Sequence, residues 1–205
     1  MLKEKILLFP APVRIFHWIF AISLTIAILT GIVPGLEAYT RQPIMSLRTV
    51  RLLHVSSGFI CLGAVIFRAG YAFISGDYKD FGINLQDIKT LPALVKYHLF
   101  IEKNPPPLRT KLNIGQKFIY LSWLVAIIYL SLTGILLLDS YFTAYGRFFY
   151  FLQRLILPQT NRFVRYHLTI YMIVTILVHI YLAHTEDIAR SQAIITGWVR
   201  VRLKK

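Results

Sequence analysis

Cysteine and acid are what this chain has least of. Among its 205 residues there is one cysteine, Cys61, and nine Asp and Glu stand against 23 Lys and Arg. A single thiol excludes a disulfide framework, a cysteine-ligated iron–sulfur cluster and a Cys-x-x-Cys-His attachment site. Charge of either sign is also scarce, at 16% of residues, where a soluble domain carries about a quarter. It is missing altogether from long stretches: 22 residues from Ile15 to Leu36, 21 from Phe118 to Leu138, and 20 from Tyr166 to Thr185. A fourth run, Leu52 to Phe67, has 16 residues before Arg68 and then continues apolar to Ile74. An arginine near the end of a span reaches the headgroups with its side chain, so this run counts in full.

About 20 residues at ~1.5 Å each cross the hydrocarbon layer, and a lone segment can satisfy its backbone in lipid only as a helix. The expected fold is all-α: an integral membrane four-helix bundle forming one domain over 1–205. Its spans are expected at about 13–35, 52–74, 118–138 and 166–185, with a connection at 75–117 and a tail at 186–205. Pro10, Pro12 and Arg14 interrupt the first apolar stretch, and a full span follows, so the N-terminus is not expected to be a cleaved signal.

What the chain does have is 56% hydrophobic residues and 29 aromatics, which exclude disorder. Its pI near 10 would suit a nucleic-acid binder, but the basic residues lie between apolar runs. Sixteen of them, including all ten lysines, fall in the N-terminal segment, the segment from Arg68 to Lys117 and the tail; that side is expected to be cytoplasmic, with both termini inside. The opposite side holds seven basic residues, all arginine: Arg41, Arg48, Arg51, Arg147, Arg154, Arg162 and Arg165. In the connection, Asn104-Pro-Pro-Pro107 marks a turn, and Asn84 to Ile101 has the apolar spacing of a short helix lying on the membrane, as the tail does. Leu29-Thr-Gly-Ile32 in the first span is echoed by Leu132-Thr-Gly-Ile135 in the third.

Five of six histidines lie in or at the ends of spans: His17, His54, His167, His179 and His184. One membrane histidine commonly just bonds a neighbouring helix; five so placed suggest ligands. His54 and His167 share the outer level, and His17 and His179 the inner, each pair bridging two helices. Bis-histidine ligation of two b-type haems in a four-helix bundle has this arrangement, whereas zinc would want a carboxylate or thiolate among the ligands. The 12 residues between His167 and His179 give ~18 Å of rise and ~120° of rotation. His184 competes with His179 for the inner role. Arg51 and Arg165 near the outer pair, and Arg14 near the inner, suit haem propionates, although topology or lipid headgroups account for arginines equally well.

Ala11-Pro-Val-Arg-Ile-Phe-His-Trp18, Arg51-Leu-Leu-His-Val-Ser-Ser-Gly58 and the stretch from His179 to Ile188 resemble the di-haem cytochrome b subunits of membrane-bound [NiFe]-hydrogenases. That superfamily includes the formate dehydrogenase gamma subunit and the thiosulfate reductase cytochrome b. The tail and Tyr97 to Lys103 resemble the hydrogenase branch, and Asn113-Ile-Gly-Gln-Lys117 the formate dehydrogenase branch. Its last-helix ligands usually stand about 14 residues apart, so either this helix has a local irregularity or His167 is not a ligand.

The resemblance implies a cytoplasmic (inner) membrane subunit of a respiratory complex. It would take electrons from a periplasmic iron–sulfur subunit, of a hydrogenase first, and deliver them through two haems to quinone. Asn113, Gln116, Lys117 and His184 are the quinone candidates by depth. Two other readings are a stand-alone di-haem oxidoreductase acting on a small oxidant, and a haem-free anchor or transporter whose histidines relay protons.

Overall fold

The structure, a computed structural model, describes residues 3–139, 156–185 and 188–202. Arg147, Arg154 and the Glu186-Asp187 pair lie outside the described residues. Four long helices carry the apolar runs: α1 (Ala11–Thr40), α2 (Leu47–Ser75), α6 (Ile114–Asp139) and α7 (Pro158–Thr185). All four are long and apolar enough to cross a membrane. Each extends past its uncharged run. Charge-free residues mark the hydrocarbon layer, but an intrahelical hydrogen-bond ladder continues into the headgroup zone, where arginines are at ease. Thus α2 takes in Arg48 and Arg51, and α1 passes Pro34 and Glu37. The Glu37 carboxylate accepts from the Ile44 and Met45 amides at 2.9 and 3.1 Å, securing the turn that follows.

Between α2 and α6 come three short helices: α3 (Tyr78–Phe81), α4 (Leu85–Lys89) and α5 (Leu91–His98). The single helix expected across Asn84 to Ile101 is therefore two, because Pro92 suits a helix's first turn and not its interior. After α7, α8 (Ile188–Thr196) leads into a strand. The strands were not anticipated: β1 (Lys3–Leu7) and β2 (Trp198–Arg202) pair antiparallel, with Leu7 opposite Trp198 and Lys5 opposite Arg200.

The chain divides into two compact units, Met1–Arg68 with Ile128–Lys205, and Ala69–Ile127. In the first, the end of α8 is held to α1: Arg14 donates to the Ile195 carbonyl at 2.7 Å and Trp18 Nε1 to the Ile194 carbonyl at 3.4 Å. Gly197 closes the junction at φ +90°. A Cβ there would stand 3.2 Å from the Phe9 carbonyl oxygen, so conformation and space both require glycine. Mid-span, Ser23 of α1 meets Cys61 of α2 at 3.1 Å.

The second unit is organised on a buried carboxylate. Asp87 accepts from Arg109 Nε and Nη2 at 3.1 and 2.9 Å and from Lys117 Nζ at 2.9 Å, and the Lys117 side chain is fully buried. The hydrogen bonds from Arg109, then those from Lys117, hold the Asp87 carboxyl far below the usual carboxylate range. Asp87 also completes a capping box with Asn84 at the start of α4.

Candidate histidine sites of the membrane helices

Within the first unit, His17 and His179 are brought to one level from α1 and α7. Both are half-buried, and they lie within electrostatic reach of each other. His17 Nδ1 is buried with no hydrogen-bond partner among the described residues. A buried imidazole nitrogen left so is costly unless something else occupies the ring. Two histidines this near each other on separate helices have the donor chemistry to hold a haem iron. Among the described residues no three His, Cys, Asp or Glu side chains gather as metal ligands. His184 lies on the exposed side of α7, with Nδ1 bonded to the Ile180 carbonyl one turn back.

His54 is fixed by α1. Its Nδ1 lies 3.0 Å from the Ala27 carbonyl oxygen and 3.1 Å from Thr30 Oγ1. A carbonyl can only accept, so Nδ1 carries the proton and Nε2 the lone pair, which is the tautomer an iron ligand needs. Gly31 makes room for the ring: a Cβ there would stand 3.2 Å from His54 Cε1. The Leu29-Thr-Gly-Ile32 segment is thus a seat for His54, with hydroxyl, carbonyl and missing side chain each in use.

His167, expected opposite His54, is exposed. Its Nδ1 bonds the Phe163 carbonyl at 2.9 Å, and its ring packs on Phe163 and Tyr166 of its own helix. The residue of α7 that turns inward at that level is Arg165, half-buried and within electrostatic reach of His54. Arg165 Nη1 donates to the Leu130 carbonyl and, at 3.0 Å, to Thr133 Oγ1.

The other nominated residues are largely engaged. Arg14 holds the α8 carbonyl, with its Nε buried and without a partner among the described residues. Arg51 is exposed on α2. Asn113 and Gln116 cap α6 reciprocally: the Asn113 amide donates to Gln116 Oε1 at 3.1 Å and the Gln116 amide to Asn113 Oδ1 at 2.8 Å. Lys117 is the buried partner of Asp87. These roles escaped sequence reading because Asp87 lies 30 residues before Lys117, although the Asn-x-x-Gln spacing of a cap was visible.

Comparison with known proteins finds relatives named as cytochrome b subunits over most of the chain. A probable Ni/Fe-hydrogenase B-type cytochrome subunit of Azotobacter vinelandii is 26% identical over 217 residues, covering 96% of this chain and 89% of the relative. The corresponding subunit of Rhizobium leguminosarum bv. viciae is 25% identical, covering 96% and 88%. The formate dehydrogenase cytochrome b556 subunit of Haemophilus influenzae is 26% identical over 198 residues, covering 95% and 76%. The profile described as prokaryotic cytochrome b561 matches residues 8–197. With four candidate membrane helices and histidines on three of them, the chain belongs to the prokaryotic cytochrome b561 family.

Proposed function

We propose that this protein is the membrane electron-transfer subunit of a respiratory oxidoreductase, linking a periplasmic iron–sulfur subunit to the quinone pool of the cytoplasmic (inner) membrane. The approach of His17 to His179 carries the reading. Relatives named as hydrogenase cytochromes make a [NiFe]-hydrogenase the first candidate partner, and the formate dehydrogenase relative a second.

Haem b, when bound, supplies reversible one-electron chemistry. His17 and His179 would hold one haem from α1 and α7, and His54 would hold another from α2. Ala27 and Thr30 orient the His54 ring and its tautomer. Arg14 and Arg51 would offer positive charge to propionates at the two levels. Since Asn113, Gln116 and Lys117 are engaged, His184 is the quinone-side candidate, its Nε2 directed away from the Ile180 bond. The lysine-rich side, with both termini, would face the cytoplasm.

The full chain, purified from membranes of a haem-replete host, is expected to give a reduced-minus-oxidised b-type spectrum and two haems per chain by pyridine haemochrome. A colourless protein would refute the proposal.

A further inference from the structure

The repeated Leu-Thr-Gly-Ile segment has the same use twice. In α1, Thr30 Oγ1 donates to the Ile26 carbonyl at 2.6 Å, and the Thr30 hydroxyl and Ala27 carbonyl receive His54 Nδ1 beside Gly31. In α6, Thr133 Oγ1 donates to the Tyr129 carbonyl at 2.7 Å, and the Thr133 hydroxyl and Leu130 carbonyl receive Arg165 Nη1. Gly134 lies beneath that guanidinium, where a Cβ would meet Nη1 at 3.4 Å. In both, the threonine hydroxyl is tied one turn back and the accepting carbonyl is three residues before it. The side chain seated by the second copy is Arg165, not a histidine.

The periodicity of α7 agrees. Arg165, Met172 and His179 recur every seventh residue, which returns each to within about 20° of the last. Met172 is 1% exposed, and Arg165 and His179 are half-buried. His167 lies two residues beyond Arg165, about 200° around the helix, and it is exposed. All six histidines of the chain are among the described residues, and none besides His54 is seated at this level from the inward face.

We propose that the outer level is a one-histidine site, with Arg165 and not His167 facing His54. This rests on the haem reading above. A haem held there by His54 would find no second imidazole among the described residues, and the site would admit a small neutral or anionic ligand of the carbon monoxide or cyanide class. The Arg165 guanidinium would donate hydrogen bonds to an anion bound at that level. The His17–His179 level, with two imidazoles, has no such opening.

The test is on the full chain with any bound partner, by haem quantification, electron paramagnetic resonance and carbon monoxide difference spectra. One low-spin haem and one high-spin, carbon monoxide-reactive haem are expected. His54→Ala should remove the reactive haem alone, and His167→Ala should change neither content nor spin state. Arg165→Ala should weaken cyanide binding about ten- to a hundredfold. Arg165→His should convert the reactive haem to a low-spin, unreactive one, an outcome that mere loss of structure does not produce. Two low-spin haems, one of them lost or turned high-spin by His167→Ala, would overturn this inference and leave the proposed function standing. So would a single low-spin haem per chain that survives His54→Ala. A colourless protein would overturn both.

Discussion

At the scale of single residues, function depends on which nitrogen of each ring has an assigned partner. His179 and His184 are five residues apart on one helix; His179 lies within reach of His17, and His184 is exposed. His179→Ala is therefore expected to lower the haem-to-protein ratio by one haem, while His184→Ala leaves it unchanged; pyridine haemochrome quantification reads both. The seat of His54 gives a finer test. A methyl at position 31 would crowd Cε1 at 3.2 Å, so Gly31→Ala should loosen haem at the His54 level. Circular dichroism should show unchanged helix content. The histidines were legible in the sequence as costly residues in lipid. Their facing was not. Which of positions 165 and 167 turns inward depends on a rotation of α7 that apolar residues on nearly every side leave undetermined in the sequence; in the structure Arg165 turns to the Thr133 hydroxyl and Leu130 carbonyl, and His167 is exposed.

Among elements, the long helices follow directly from uncharged runs, because the hydrocarbon layer admits few alternatives. The connection does not, since its order comes from ionic contacts distant in sequence. Lys117 illustrates this: by position it resembled an interfacial polar residue, but it lies wholly inside, neutralised by Asp87. Because the folded Asp87 carboxyl titrates far below its unfolded value, its contribution to stability is complete above about pH 5. The contribution declines as pH falls past the ordinary carboxylate value of about 4, and is gone only below the folded value. Asp87→Asn should therefore lower the thermal midpoint in detergent at pH 7, leaving Lys117 without its countercharge. The variant should also lose much of the wild type's decline between about pH 5 and pH 3. An equal decline in both proteins would mean that other carboxylates control acid unfolding.

Over the whole molecule, the excess of basic residues separates by type. All ten lysines fall in the N-terminal segment, the segment from Arg68 to Lys117 and the tail, whereas the connections from α1 to α2 and from α6 to α7 carry arginine alone. Reporter fusions after position 205 and within 140–155 should respectively read cytoplasmic and periplasmic; the reverse would invert the membrane orientation and place the His54 level inside. The ribbon of β1 and β2 was invisible to hydrophobic pattern because β1, three charged residues followed by two apolar ones, has no strand alternation, and two five-residue segments so far apart in sequence carry no sign of their pairing.

That ribbon also sets an order of events. β1 is made first and its partner β2 at the far end of the sequence, so at about 5–20 residues per second the first strand waits on the order of ten to forty seconds on the ribosome. During that interval Lys3 to Leu7 present an unmatched edge. The pairing, with Arg14 and Trp18 gripping α8, can close only when synthesis has passed Arg202. The pairing of β1 with β2 is thus a late step, taken after the four long helices between them have been made.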